Sequence, residues 1–517
     1  MTSVCLYFEV HQPFRLKWFW PASDAPQTSL EDRYFDAPLN EFTFKKVAGK
    51  CYWPANTTIL NNIDYFKGSK KKFKCAYSIT GVLLEQAERW DKDLLETWKQ
   101  MAESGCVEFL DETYHHSLAS LFDNHVEFTE QILLHKQKMK DLLGYTPTVF
   151  RNTELLYHDN IAETIEQLGY KAILTEGIER ILEGWRSPNY VYKRAGGDLK
   201  VLLRNYQLSD DIGYRFSAKW WSEYPLTAEK YSAWLSATSG DTINVFMDYE
   251  TFGEHHWEDT GIFAFLAALP GEILKWEHME FNTPSEVIEK YQPVGEIRVP
   301  WYETVCWADM ERDTSAWLGN HMQQLSFTLL KQLEKPVKES RNPEFIETWR
   351  KLLTGDHLYY QCTKGWGDGD VHTYFSHHGT PHDAAINLLA ILGDFREKVA
   401  AYNAARKTPP TIPAPPMTPY IPKPELTFKP PEKEAPPQIQ SPYLPEKTPA
   451  KKETPQKEDE QSFTKKYGTI KGMSEAAQYK KPEVDIQKYK IRSQSTKHHT
   501  PMLDDILKKR HEKERKK

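Results

Sequence analysis

Four polar side chains occur at or within predicted strands in the first part of the chain, where barrel-type enzymes build their sites. They are His11 after Val4–Val10, Glu108 within Cys106–Leu110, Glu154 after Thr148–Phe150, and Asp248 after Thr242–Met247. A carboxylate directly after a buried strand loses hydration unless something there uses its charge. A single instance is compatible with a hydrogen-bonded core residue. Four such polar residues at equivalent places in the predicted strands indicate a functional site.

Glu154 and Asp248 together could cleave a glycosidic bond. One carboxyl group protonates the departing oxygen while the other attacks or stabilises the cationic carbon. Tryptophans in loop-like contexts favour a sugar ligand, because pyranose rings pack flat on indole faces. Those tryptophans are Trp220, Trp221, Trp257, Trp301, Trp307 and Trp366.

Strand-like and helix-like stretches alternate from residue 1 to 295, which is typical of parallel βα units. Helices are expected at Leu83–Glu103, Glu127–Leu143 and Ile161–Leu168, each followed by a glycine and an apolar run. No glycine-rich phosphate turn opens any of them, so a closed or nearly closed barrel fits better than an open doubly wound sheet. Catalytic groups would then lie at the carboxyl ends of the strands.

Residues 296–404 are predicted to form a helical domain that completes the cleft. The sequence from Thr283 to Glu286 has the form of a helix start, with a capping threonine, a proline and a glutamate. Helical periodicity then covers about 309–333, 343–353 and 383–404. Residues 405–517 are rich in proline, lysine and glutamate, which predicts a disordered tail.

The charge is distributed unevenly over the 517 residues. The net charge is −7 overall, but residues 401–517 hold 25 basic and 15 acidic side chains, which leaves the first 400 strongly acidic. An acidic body argues against nucleic acid as the main ligand. No apolar run reaches the roughly 18 residues that span a bilayer, so no membrane association is expected. The six scattered cysteines predict reduced thiols and a cytoplasmic protein.

Three segments of the chain resemble the motif set of glycoside hydrolase family 57, closest to its α-amylase-like branch. They are His11-Gln12-Pro13, Phe150-Arg151-Asn152-Thr153-Glu154, and Met247 to His255 (MDYETFGEH). The resemblance covers about residues 1–400. It implies an α/β fold in which an incomplete (β/α)7 barrel precedes a helical domain. It also implies a retaining mechanism on α-glucans.

The resemblance also assigns expected roles. Glu154 matches the nucleophile and Asp248 the general acid/base, while His11, Glu108 and Asp356 match substrate-contacting positions. Cys106 departs from the glutamine common in the second motif. Further substrate contacts are expected from residues in or near the motif loops, namely Glu250, His255, Trp257 and Trp307.

The mechanism makes physical demands on the two carboxyl groups. Asp248 must hold a proton, so burial or the neighbouring Glu250 should raise its pKa. Glu154 must stay ionised, helped by Arg151 or a nearby histidine. A retaining enzyme needs a carboxyl separation of about 5 to 5.5 Å. His115, His116, His125 and His135 are interpreted as surface or packing histidines.

Several alternatives stay open on sequence alone. A 4-α-glucanotransferase or a branching enzyme would use the same two carboxylates. A metal-dependent sugar deacetylase or mannosidase would instead use His11 and Asp248 as ligands. A non-catalytic glucan-binding scaffold is a third class, with the basic tail recruiting an acidic protein partner. Residues 368–382 match no standard zinc or calcium pattern, so neither metal nor cofactor is expected.

Overall fold

A ring of seven parallel strands positions the candidate catalytic residues. The computed structural model describes residues 1–19, 29–364 and 375–407. Its strands are β1 (Thr2–Val10), β2 (Cys75–Ile79), β3 (Val107–Phe109), β4 (Val149–Arg151), β5 (Ala172–Glu176), β6 (Tyr192–Arg194), β7 (Lys200–Arg204), β8 (Thr242–Asp248), β9 (Met279–Phe281) and β10 (Glu296–Ile297).

The strands form two sheets whose edges meet. The first has the order β3-β2-β1-β8, with β9 pairing to β1, and the second has the order β10-β6-β7-β5-β4. All pairs are parallel except β6 with β7. Asp111 N–H donates to Val149 O (3.0 Å), which joins the end of β3 to β4. Asn205 N–H donates to Asn244 O (2.8 Å), which joins β7 to β8. The expected α/β class is therefore confirmed.

The inward face of the barrel changes from apolar to charged along five of its strands, β1, β4, β5, β7 and β8. Side chains two positions apart along a strand share a face, so the apolar interior of the barrel is followed directly by a layer of charged side chains. The pairs, apolar member first, are Tyr7 and Glu9, Val149 and Arg151, Leu174 and Glu176, Leu202 and Arg204, and Phe246 and Asp248. The apolar members belong to one buried cluster. The charged members lie at the carboxyl ends of the strands, where barrel enzymes place their chemistry.

Helices surround the ring. They are α1 (Leu30–Tyr34), α2 (Ala37–Val47), α3 (Trp53–Phe66), α4 (Gly81–Trp90), α5 (Lys92–Glu103), α6 (Val126–Leu143), α7 (Asp159–Gln167), α8 (Tyr206–Gly213), α9 (Ala228–Ala237), α10 (Ile262–Leu274), α11 (Pro284–Lys290), α12 (Ser315–Leu318), α13 (His321–Ser340), α14 (Pro343–Leu352), α15 (Asp356–Tyr359) and α16 (Pro381–Lys407). A π-helical turn, Ala48–Tyr52, joins α2 to α3.

The sequence predicted one continuous helix where the structure has two. The stretch Leu83–Glu103 is two helices, α4 and α5, separated at Asp91. Asp91 has φ −155° and its carboxylate accepts a hydrogen bond from Trp53 Nε1 (2.8 Å). That tertiary bond fixes a non-helical residue inside a helical pattern. By contrast, the predicted start of α11 has the full capping box between Thr283 and Glu286.

The helices α12 to α16 pack around their own apolar core, which includes Trp317, Trp349 and Phe395. Phe14 and Leu16, which follow β1, belong to the same cluster and tie it to the barrel. Residues 1–407 lie in one compact unit. None of the helices in the described ranges is long and apolar enough to cross a membrane.

Candidate active site

Glu154 lies in a strained turn directly after β4. Its φ of 56° and ψ of 24° are left-handed, a conformation that non-glycine residues rarely adopt away from functional sites. His116 Nε2 donates to Glu154 Oε1 (2.9 Å), and Trp307 Nε1 donates to Oε2 (2.6 Å). Burial raises the pKa of Glu154, but the bond from His116 and the charges of His116 and Arg151 outweigh it and lower the pKa. The side chain keeps 22% exposure towards solvent. Glu154 is therefore a carboxylate held ionised and accessible.

Asp248 has the opposite protonation tendency. Burial and the negative charge of Glu154 raise its pKa to about 6, against weaker opposing effects of Arg151 and Arg204. Of the two expected causes, burial is the larger contributor, and the charge that adds to it is that of Glu154. Two carboxyl groups with pKa values pushed apart form an acid and a base in one site.

Glu250 lies beside Asp248 and is bound by the π-helical turn. Tyr52 Oη donates to Glu250 Oε1 (2.5 Å), and His11 N–H lies 3.4 Å from the same oxygen. Burial and the charge of Asp248 raise the pKa of Glu250 to about 8. Cys51 Sγ donates to the carbonyl of Tyr249 (3.2 Å) in the same loop. π-helical turns occur mostly at functional sites, and here the turn fixes the loop that carries the acid.

His11 joins the barrel to α15. Its Nε2 donates to Asp356 Oδ2 (2.9 Å), and its Nδ1 lies 2.9 Å from Thr80 Oγ1. Burial and the charge of His116 lower the pKa of His11, whereas His11 and His116 lower that of Asp356 despite its burial. A neutral His11 accepts from Thr80 and donates to Asp356, so both ring nitrogens are satisfied. The structure thus brings His11 and Asp356 to the same place as Glu154.

Glu108 is not brought to this place. Both of its carboxylate oxygens accept from Ser285, from the backbone N–H (2.8 Å) and from Oγ (2.5 Å), at the start of α11. Glu108 is the middle residue of β3, and its bonds to Ser285 hold its inward side chain towards the amino-terminal end of the barrel. The same face of the chain continues through Leu110 to Glu112. Glu112 is the fully buried acid that lies 3.6 Å from His116.

The three remaining predicted substrate contacts lie in different surroundings. Trp307 touches Glu154 through its indole N–H, and its ring lies under Arg151, whose guanidinium carbon is 4.9 Å from the ring centroid. Trp257 is 55% exposed, with Lys50 Nζ 5.0 Å from its ring centroid. His255 contacts Phe375 (ring centroids 5.3 Å), and burial lowers its pKa to about 4. Trp366 and the 368–372 cluster lie outside the described residues.

His116 is the functional residue that sequence reasoning missed. The interpretation of this histidine as a packing residue was wrong, because its Nε2 hydrogen-bonds to Glu154. Its ring also stacks on that of His11, with centroids 4.0 Å apart and planes 20° apart. The available signal was the alternation along β3, which puts residues 112–116 at its carboxyl end.

A metal was not expected, and the donor geometry gives little support for one. Among the described residues, the close groups of ligand-type side chains are His11, His116 and Asp356, and Glu9, Glu112 and His116. Asp248 belongs to neither group. Both ring nitrogens of His11 and Nε2 of His116 already have hydrogen-bond partners, in Thr80, Asp356 and Glu154. Arg151, paired bidentately with Glu9, already supplies a fixed cation there.

The chain is similar to known proteins over most of its length. Residues 5–300 match the model of glycosyl hydrolase family 57. A protein of Methanocaldococcus jannaschii, named as a proposed alpha-amylase, is 51% identical over 396 residues, which cover 75% of this chain and 83% of that protein.

Solved structures give matches to the fold. A branching enzyme of the same family from Thermococcus kodakaraensis has a TM-score of 0.56 at 13% identity, covering 79% of this chain and 94% of that one. A 4-alpha-glucanotransferase from Thermococcus litoralis has a TM-score of 0.55 at 16% identity, covering 78% of this chain and 60% of that one.

Proposed function

Because the chain belongs to glycosyl hydrolase family 57 and is therefore a glycoside hydrolase, we propose that it cleaves α-1,4-glucosidic bonds of starch- or glycogen-type glucans as an α-amylase. One observation carries the proposal. Glu154, held ionised by His116 and Trp307, shares a site with Asp248, whose pKa is raised to about 6. The alpha-amylase name of the 51% identical relative supports the choice of substrate.

The proposed reaction has two steps and retains the anomeric configuration. Glu154 attacks the anomeric carbon while Asp248 donates its proton to the departing glycosidic oxygen, which leaves a glycosyl ester on Glu154. Asp248, now a carboxylate, takes a proton from water, and the resulting hydroxide equivalent displaces Glu154. The two carboxyl groups should be about 5 to 5.5 Å apart. Both steps need Glu154 to be a good nucleophile and a good leaving group.

The acceptor in the second step distinguishes an α-amylase from a transglycosylase. A sugar hydroxyl in place of water would make the protein a 4-α-glucanotransferase or a branching enzyme, the activities named for two structures of the same fold. The carboxyl pair is the same in each case. Product size therefore discriminates among them.

The experiment is a mass-spectrometric product profile after incubation with maltoheptaose. Shorter sugars alone support hydrolysis, and sugars both shorter and longer than the substrate would move the proposal to a transglycosylase. Glu154→Gln should abolish all products. Glu108→Gln is the matched control, because it neutralises a buried glutamate of the same barrel that does not contact Glu154.

A metal-dependent deacetylase or mannosidase makes a different prediction. Its activity would be lost on treatment with EDTA and restored by a divalent cation. We expect maltoheptaose cleavage to be unchanged by EDTA, because the two ring nitrogens of His11 are already bonded to Asp356 and Thr80. An acidic protein partner for the lysine-rich tail stays a separate proposal, which a pull-down with full-length and 1–407 chains would test.

A further inference from the structure

His116 lies at the centre of four buried or half-buried side chains. Its Nε2 faces Glu154 at 2.9 Å, and its Nδ1 lies 3.2 Å from Glu9 Oε1 and 3.6 Å from Glu112 Oε2. The imidazole is 3% exposed, and His11 covers one face of the ring. Every polar group within reach of its two nitrogens is therefore a carboxylate.

This geometry determines the protonation of the ring. A neutral imidazole has one donor and one acceptor nitrogen, and the acceptor would face a carboxylate oxygen. Two lone pairs in contact in a buried site repel each other. The doubly protonated ring instead donates to Glu154 through Nε2 and turns its second N–H towards the carboxylates of Glu9 and Glu112. Burial lowers the pKa of His116, but the charges of Glu9, Glu112 and Glu154 raise it well above the ordinary value.

The backbone is distorted to place this ring. His116 has φ 50° and Glu154 has φ 56°, so both partners of the hydrogen bond adopt left-handed conformations. Such strain persists where surrounding structure enforces it. Gly355 N–H donates to His116 O (2.8 Å), which locks the histidine to the start of α15. A Cβ at Gly355 would lie 3.3 Å from that oxygen.

We propose that His116 is a cationic positioning residue that holds Glu154 in its attacking geometry and stabilises its negative charge in both steps of the reaction. This inference rests on the proposed function. In the first step the imidazolium orients the Glu154 carboxylate. In the second step it donates to the ester oxygen of the glycosyl-enzyme as negative charge returns to Glu154.

Glu9 and Glu112 have a defined part in this arrangement. When Glu154 becomes an ester it loses its charge, and a histidine paired with Glu154 alone would tend to lose its proton. Glu112 lies on the other nitrogen, and the charge of His116 lowers the pKa of Glu112 despite its burial. The second carboxylate therefore keeps His116 charged during the intermediate. Arg151 pairs bidentately with Glu9 but lies 3.9 Å from Glu112, so Glu112 has the weaker competing cation of the two.

The test compares His116→Gln with His115→Gln on maltoheptaose and on α-maltosyl fluoride. Glutamine keeps a hydrogen-bond donor near Glu154 but removes the charge. His115 is the matched control, since it is an adjacent, fully buried histidine that lies 3.6 Å from Glu347 instead. Fluoride needs little protonation to depart, so the fluoride substrate separates the role of Glu154 from that of Asp248.

We expect His116→Gln to lower kcat on both substrates by about 10²-fold, the loss typical of one preorganised donor at a developing charge. Its acidic pH limb should move to higher pH, because Glu154 loses a cation. Rapid quenching should show glycosyl-enzyme accumulating in the variant. His115→Gln should change none of these beyond any shift in thermal stability.

The outcomes separate the two proposals. An inactive wild type on both substrates would refute the proposed function itself. An active wild type with an unchanged pH limb in His116→Gln would overturn the positioning role while leaving the function intact. Equal kinetic loss in His115→Gln would also overturn it, by showing that any buried histidine in this segment matters only for folding.

Discussion

Replacing Trp307 by phenylalanine should move the acidic limb of the pH–rate profile upwards. Trp307 Nε1 donates to Glu154 Oε2 at 2.6 Å, and that bond helps to lower the pKa of the carboxyl group. Phenylalanine keeps an aromatic ring beneath Arg151 and removes only the donor. The carboxylate form of Glu154 is thereby destabilised relative to the acid form.

The size of the effect follows from the charge on the acceptor. A hydrogen bond to a charged group contributes about 1.5 to 3 kcal/mol. Each 1.36 kcal/mol is tenfold in an equilibrium constant, so the ionised fraction on the acidic limb falls about 10- to 150-fold. At neutral pH, where Glu154 stays ionised in both proteins, kcat/KM should change much less.

The assay is kcat/KM for maltoheptaose measured from pH 4 to 8, beside Trp301→Phe. Trp301 is 68% exposed on the same segment and is the control for loss of an indole N–H away from the carboxylate. A decrease of kcat/KM by the same factor at every pH in Trp307→Phe would refute the reasoning, since it would indicate altered packing without a change in the ionisation of Glu154. An unaltered profile would refute it equally.

Three further predictions concern individual charged groups. Burial raises the pKa of Asp248 to about 6, and the general acid must be protonated to act. Wild-type kcat/KM should therefore fall tenfold per pH unit above about pH 6. A flat profile up to pH 8 would exclude Asp248 as the acid. Glu108→Gln should lower the free energy of unfolding in urea by about 1 to 3 kcal/mol and leave kcat/KM unchanged, whereas a selective rise in KM would return Glu108 to the substrate site. Arg151→Met should cost about 3 to 5 kcal/mol of stability, because it leaves Glu9 buried without a cation. Lys45→Met, which removes an exposed ion pair with Glu41, should cost about 0 to 1 kcal/mol. Equal losses of stability in the two variants would contradict the assignment of Arg151 and Glu9 as a buried pair.

The barrel and its strand-end carboxylates could be predicted because they depend on local pattern. Short, mainly apolar runs that end in a charged or polar group identify β1, β4 and β8 without any knowledge of their neighbours. Asp248 and Glu154 follow from that rule directly. The acidic residue near β3 could not be assigned in this way. Glu108 in β3 and Glu112 just after it lie on the same face of the chain, and only the direction of the barrel distinguishes the two ends of the strand.

The alternation along β3 places His116 near the site, but its contact with Glu154 depends on information that no local pattern contains. Its ring meets Glu154 only because both residues take left-handed backbone angles, and those angles are enforced by distant contacts such as the bond from Gly355. Trp307 likewise carried a sequence signal for sugar stacking, yet its N–H binds the carboxylate. Tertiary placement decided which of its two chemistries is used.

The position of Trp307 and Asp356 along the chain has a consequence for how activity is acquired during synthesis. Both come after residue 300, where the match to the family ends, but Trp307 binds Glu154 and Asp356 binds His11. A nascent chain that has completed every barrel strand therefore still lacks one of the two side-chain donors to Glu154. The ribosome must add the segment through Asp356 before the carboxylate is held ready. Full activity is therefore expected only after the segment beyond the barrel has been synthesised.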